Sequence, residues 1–250
     1  MRNSFPEQDL DCPDPEGCPV AVTRLVDCAR AGRMPVAQFP AGREWYRVYD
    51  AQDGYFQANP GYGDTRFAPF DAVRTGARVP TLYLAEDLES ALLETSLHNV
   101  AQAHPRIVDE RTLLGKLHAR IRTPHQLRLA DLRDQRLVEL GVKRSGIASS
   151  DPEHYPCTRT VAREIHTQGQ GGTALQGIVW HSRQAELAGT PAREVVVLFA
   201  DRIAMGRGVW DLAASRSASG ALLEGTGRLL LDRLADALSV DIETSEELDQ

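Results

Sequence analysis

The chain has 250 residues, of which 42% are hydrophobic and 25% charged, with a formal net charge of −7. That length buries one sizeable core or one domain with extensions, and the balance is that of an ordinary soluble globular protein. Residues 241–250, DIETSEELDQ, hold five acidic groups and no basic one, so the remainder is only mildly acidic. Without a Lys/Arg block, direct nucleic-acid binding is not expected.

Residues 1–19 carry Pro, Asp, Glu and Asn among few apolar side chains, which predicts an irregular lead. The start, MRNSFPEQDL, has no apolar targeting core, and no run in the chain approaches membrane-spanning length. The expected location is therefore cytoplasmic, with no membrane partner. Cys12, Cys18 and Cys28 lie early and Cys157 far off; the Cys12–Cys18 spacing exceeds that of a zinc knuckle and no nearby His completes a site. Free thiols and no metal are expected. Residues 20–33 suit a short helix through Val22, Leu25, Val26 and Ala29. Residues 43–50 alternate as a strand, with Trp45, Arg47 and Tyr49 on one face and Tyr46 and Val48 on the other. An Arg between two aromatics on a strand face is either a surface cation–π cluster or an anion clamp at a cleft.

Residues 51–79 are rich in Gly, Pro, Asn and Asp, too long for a simple connector, and contain Arg66. Long ordered loops tend to be functional. The next stretch, TLYLAEDLESALLET, opens with a buried-strand pattern over residues 81–85 and breaks at Glu86 and Asp87. Asp87 predicts an N-cap, and the absence of Gly and Pro allows a helix from Leu88 to about Val100. Ser90, Glu94 and His98 then form one narrow polar strip, while Leu88, Ala91, Leu92, Leu93 and Leu97 cover most of the circumference. A helix this apolar is buried, so its acidic strip faces a sliver of solvent or a cavity. Tyr83, on the strand that feeds it, can project to the same place.

Beyond it, residues 113–121 and 126–131 alternate as strands around a turn at Thr123–Pro124. Residues 134–140 make a short helix closed by Gly141. A polar loop over 145–156 leads to a helix capped by Thr158 and running to about His166, with Val161, Ala162 and Ile165 inward. Residues 169–172 read as a flexible joint. Residues 175–182 and 194–199 are strands, the second apolar enough to be central. Residues 210–220 are small and polar, a linker candidate, and 229–238 an amphipathic helix. Strands interrupted by single helices without regular alternation predict an α+β fold.

Five residues carry a family resemblance in order: Arg47 in WYRVYD, Arg66 in TRFAPF, Tyr83 in LYLA, Glu94 in SALLET and Ser182 in GIVWHSR. Together they resemble the signature of the RES domain, named for an Arg, a Glu and a Ser. Gly63, in GDTRF, stands farther from its Arg than the family's glycine. The resemblance implies an ADP-ribosyltransferase-like split β-sheet flanked by helices. It divides the chain into an N-terminal extension over 1–40, an NAD-binding catalytic domain over 41–212, and a C-terminal helix with acidic tail over 213–250. It implies Glu94, Arg47 and Tyr83 as catalytic residues, and Arg47, Arg66, Tyr83 and Ser182 as substrate-binding ones. RES proteins are NAD-consuming toxins whose partners are antitoxins with a DNA-binding domain.

The residue chemistry agrees with such a ligand. Arg forks bind diphosphate oxygens, Tyr83 offers a flat face, and Glu94 can hold a ribose hydroxyl and stabilise an oxocarbenium-like state. Ser182 can fix the ribose or an incoming nucleophile. NAD is then a substrate, with phosphate or water as acceptor, and no cofactor is required. A mono-ADP-ribosyltransferase acting on a host protein and a non-catalytic NAD- or ADP-ribose-binding module are the alternatives, and homo-oligomerisation stays open. A serine hydrolase lacks its GxSxG turn, and GQGG at 169–172 follows a helix, the wrong order for a dinucleotide-binding turn.

Overall fold

The computed structural model describes residues 22–97, 106–144, 147–148, 154–168, 174–182 and 191–244. The expectations for residues 1–19, for Cys12 and Cys18, for His98, for the joint at 169–172 and for the last six residues of the acidic tail lie outside these.

In chain order the elements are α1 (Val22–Arg30), β1 (Val36–Phe39), β2 (Glu44–Asp50), β3 (Thr81–Ala85), α2 (Leu88–Leu93) and β4 (Ile107–Asp109). They continue with β5 (Lys116–Arg122), β6 (Leu127–Asp131), α3 (Asp134–Glu139), α4 (Tyr155–Thr167), β7 (Gly177–His181) and β8 (Glu194–Phe199). Last come β9 (Asp211–Leu212), β10 (Ser219–Ala221), α5 (Gly225–Leu238) and β11 (Asp241–Glu243). The main sheet runs β1-β6-β7-β8-β3-β2-β5-β10, with β9 also pairing β5; β11 and β4 form a separate parallel pair. All neighbours in the main sheet are antiparallel except β6 and β7. This is the α+β arrangement expected, with β8, the most apolar strand, at the centre.

Alternation along the strands sorts the core into two layers. Tyr46, Val48, Tyr83, Ala85, Val195 and Val197 face the helices, and Trp45, Tyr49, Leu82, Leu84, Val196 and Leu198 face the opposite layer. Gly177 has no room for a side chain: a Cβ there would stand 2.1 Å from the Val197 carbonyl oxygen on β8.

The sheet is split between β2 and β3. β2 pairs with β5 along its whole length and β3 with β8 along its own, but β2 meets β3 only at Tyr46 and Ala85. From that one pair the strands diverge. The long loop over 51–79 covers the opening and pairs back on β3, where Asn59 and Thr81 exchange backbone hydrogen bonds of 2.8 and 2.9 Å.

Helix α2, helix α4 and residues 210–220 depart most from the sequence expectations. Helix α2 stops at Leu93, well short of residue 100, because Thr95 undoes it. The Thr95 hydroxyl donates to the Ala91 carbonyl at 2.6 Å, the acceptor that its own amide would take in a continuing helix. That amide turns to Leu92 at 3.2 Å, and Leu97 folds back into the core. Helix α4 begins at Tyr155, with Pro156 in its first turn, so Thr158 lies inside the helix and is no cap. Residues 210–220 are not a linker: Trp210 is fully buried, Ala213 and Ala218 are nearly so, and β9 and β10 pair with β5. Ala213 and Ala218 are small because they pack inward, while Ala214, Ser215, Ser217 and Ser219 are exposed.

Residues 22–40 and 225–243 are built into the same core. Leu25 and Ala29 of α1 and Leu231 and Leu234 of α5 are almost entirely buried, and β1 pairs with β6. Leu25→Ala should therefore lower stability by about 2–5 kcal/mol, the usual range for a truncated core leucine. A urea denaturation midpoint within error of wild type would show that α1 is peripheral.

Candidate functional site

The diverging strands leave a cavity of about 340 Å³ walled by β2, β3, the end of α2 and the covering loop. Its lining includes Arg47 and Val48 from β2, Tyr83 from β3, Glu94 and Thr95 at the end of α2, and Asp64, Thr65 and Arg66 from the loop. Four of the five residues singled out in the sequence thus line one cavity. The fifth, Ser182, does not line it. It is completely buried just beyond β7, and its hydroxyl donates to Glu94 Oε1 at 2.6 Å.

Each side chain is held by identifiable contacts. Glu94 is the C-cap of α2, its amide donating to Ser90 at 2.9 Å while its half-buried carboxylate receives Ser182. Asp87 caps the other end of the helix by accepting from the Ser90 amide at 2.7 Å, as its sequence position predicted. Tyr83 stands edge-on to Trp180 with 6.0 Å between ring centroids. Its hydroxyl shares a 2.8 Å hydrogen bond with Thr65 and accepts from the Phe67 amide at 3.2 Å. Burial pushes the Tyr83 phenol well above its ordinary value, so it stays protonated and can donate.

The two arginines are both buried, at 9% exposure for Arg47 and 7% for Arg66. Arg47 donates to the carbonyls of Tyr55 at 2.7 Å and Gly54 at 3.3 Å. Its guanidinium lies 5.6 Å from the Tyr49 ring centroid, as their shared strand face suggests. Burial pushes Arg47 down to about 10, against the opposing pull of Asp53, which leaves it charged at neutral pH. Arg66 donates to Ile147 O at 2.8 Å and sits over the Tyr155 ring at 5.2 Å.

A second cavity, of about 380 Å³, is lined by the start of α2, by Tyr46, His118 and Arg120, and by α5. It is slightly larger but includes none of the five residues singled out in the sequence, so size alone does not decide between them. Among the described residues no group of three or more His, Cys, Asp or Glu could hold a metal ion, and no helix is long and apolar enough to cross a membrane.

The RES domain family model matches residues 41–213. The chain belongs to the RES family. Its fold is also similar to that of a chain in the crystal structure of the M. tuberculosis MbcT-MbcA toxin-antitoxin complex, with a TM-score of 0.50 and 19% identity. That match covers 85% of this chain and 97% of the other, and at such identity the likeness is one of fold. No curated protein matches the sequence.

This RES chain builds its site with residues that sequence reading passed over. The loop residues Asp64 and Thr65 stand in GDTRF beside Arg66, and Gly63, at φ +81°, supplies the turn that presents them. Helix α4 secures this stretch. Thr158 donates through its hydroxyl to the Arg66 carbonyl, and Arg159, wholly buried, binds Asp64 while its Nε donates to Tyr155 O at 3.0 Å. An arginine on the inward face of a helix, three residues before Ala162, was the available signal, since such a charge is rarely buried without a partner.

Tyr83→Phe would remove the hydroxyl that joins β3 to the covering loop. The expected loss is about 1–3 kcal/mol, with faster proteolytic nicking within 51–79. Unchanged thermal unfolding and unchanged nicking would show that the loop is held without it.

Proposed function

We propose that this RES chain is an NAD-degrading enzyme that breaks the nicotinamide–ribose bond, with phosphate or water as acceptor. We further propose that it is the toxin of a toxin–antitoxin pair. The observation that carries the enzymatic reading is the carboxylate of Glu94, fixed by a buried serine on the wall of a cleft that also holds Tyr83 and two buried guanidiniums. That set suits a ligand with a ribose to be cleaved and a diphosphate to be gripped. Family membership supports the same substrate.

In this reading the diphosphate lies against Arg47 and Arg66. Their buried charges are already oriented by carbonyls, so little reorganisation accompanies binding. The bond from ribose C1′ to the nicotinamide nitrogen breaks with its electron pair going to the ring, which leaves as a neutral molecule. Positive charge then builds on the ribose, next to the Glu94 carboxylate. An acceptor oxygen attacks C1′: a phosphate oxygen does so already unprotonated, and a water oxygen releases its proton to solvent. Tyr83 contributes a ring face and a protonated hydroxyl. Ser182 does not touch the ligand; it holds the carboxylate in one rotamer by a charge-assisted hydrogen bond.

The toxin assignment rests on the family and on the fold, shared with a protein whose crystal structure is that of a toxin–antitoxin complex. The proposed partner is a cognate antitoxin that carries a DNA-binding domain and blocks the cleft. The family-matched region, 41–213, is proposed as the catalytic unit.

Glu94→Gln should keep the fold and lower nicotinamide release by a few hundredfold, since a preorganised electrostatic contact of this type contributes about 3–4 kcal/mol to the transition state. Ser182→Ala should lower it by roughly tenfold or more, through kcat rather than KM, as the carboxylate loses its fixed orientation. Nicotinamide release is measured for wild type and both variants, with and without phosphate, and folding by circular dichroism. Equal rates in wild type and Glu94→Gln would exclude Glu94 from catalysis, and no release by wild type would exclude the reaction.

A further inference from the structure

The cleft holds a second carboxylate that the reaction above does not use. Asp64 lines the cavity from the loop, two residues before Arg66, and its side chain is 54% exposed. An exposed aspartate on a loop ordinarily samples several rotamers, but this one is clamped. Its Oδ1 accepts from Arg159, whose side chain is 1% exposed and whose Nε is anchored to the Tyr155 carbonyl within α4. On either side, Gly63 turns the chain at φ +81° and Thr158 fixes the Arg66 carbonyl. Among the described residues, Oδ2 of Asp64 receives no hydrogen bond. A buried cation therefore holds a half-exposed carboxylate still at the edge of the cleft, with acceptor capacity to spare.

A fixed carboxylate with free lone pairs is an acceptor for paired hydroxyl donors, and a ribose diol presents two. A dinucleotide has two ribose diols on either side of one diphosphate. The cavity has two carboxylates, Glu94 and Asp64, and two guanidiniums, Arg47 and Arg66. Glu94 is assigned to the ribose whose bond breaks. We propose that Asp64 is a specificity-determining residue that receives the diol of the other ribose and so selects NAD over its 2′-phosphorylated form. This rests on the reading of the cleft as an NAD site.

A 2′-phosphate would replace one of the hydroxyl donors by a dianion facing a carboxylate, removing a hydrogen bond and adding like-charge repulsion. Arg159 is not among the residues that line the cavity; it holds Asp64 from inside the protein through Nη2, while its Nε donates to Tyr155 O, so the face of the carboxylate turned to the ligand keeps its acceptor character. Sites built to bind a hydroxyl reject analogues that lack it, so a preference of about tenfold or more is expected.

The test uses the full chain carrying Glu94→Gln, so that turnover during the titration is slowed a few hundredfold, and measures NAD and NADP affinity by calorimetry. The same pair is then measured with Asp64→Asn added. Asn keeps an oxygen for Arg159 and removes the negative charge. Because a buried guanidinium then lacks its counter-ion, folding is checked by circular dichroism and the same measurement is made with Arg159→Met added, which removes that cation as well. The expected result is NAD tighter than NADP by about tenfold in the first protein and within about twofold in the second. Equal affinities in the first protein, or an undiminished preference in the second, would overturn the role of Asp64 while leaving the NAD site intact. Failure of the first protein to bind either nucleotide would overturn the NAD reading and this assignment with it.

Discussion

Everything about the site follows from one incomplete seam. Adjacent strands in a sheet normally satisfy each other's backbone groups along their length, yet β2 and β3 share a single residue pair, Tyr46 with Ala85. Each strand is fully paired on its other side, β2 to β5 and β3 to β8, so the split does not threaten the sheet. It does leave backbone groups facing a gap. Asn59, reaching from the loop, satisfies those of Thr81. The cleft is thus a place where the sheet has given up ladder bonds and a loop has partly replaced them.

That substitution explains why a long irregular segment is ordered. Residues 51–79 have little regular structure of their own, and fixing a residue's backbone costs about 1–2 kcal/mol of conformational entropy. The loop is tied down by groups on three elements: the Tyr83 hydroxyl on β3, the Arg47 guanidinium on β2, and Thr158 with Arg159 on α4. Two of these tethers, Tyr83 and Arg47, also line the cavity. Two of the residues that would bind a ligand therefore also hold the wall in place, which couples binding to local order.

Much of this could be read before the fold was known, and what could not has a physical cause. Strands with apolar alternation, the Asp87 cap and the Gly141 helix stop were legible because each is a local preference. The length of α2 was not, because Thr95 carries ordinary propensity and acts through its hydroxyl taking a carbonyl, a competition that periodicity does not see. Residues 210–220 looked like a linker because small residues signal both flexibility and close packing, and only the burial of Trp210 separates the two. Arg47, Arg66, Tyr83 and Glu94 were found through their pattern. The part played by Ser182 was hidden, since sequence shows that a serine is present but not whether its hydroxyl faces a ligand or another side chain. Arg159 was hidden for the same reason: its partner Asp64 lies ninety-five residues away.

The position of Glu94 goes against local preference. A carboxylate at the C-terminal end of a helix faces the negative end of the helix dipole, an arrangement that costs about 0.3–1 kcal/mol in a full-length helix and less in one of six residues. A short apolar helix also half-buries that charge. Its one compensating contact among the described residues is the Ser182 hydroxyl, a charge-assisted bond of the kind that contributes about 1.5–3 kcal/mol. A neutral side chain at this position would satisfy the helix end better. Where a chain keeps a charge against its local electrostatics and supplies a buried group to orient it, the benefit lies outside stability. A negative charge waiting at the wall of a cleft gains its full value only when a positive charge forms opposite it, as it does on a ribose that is losing a neutral leaving group.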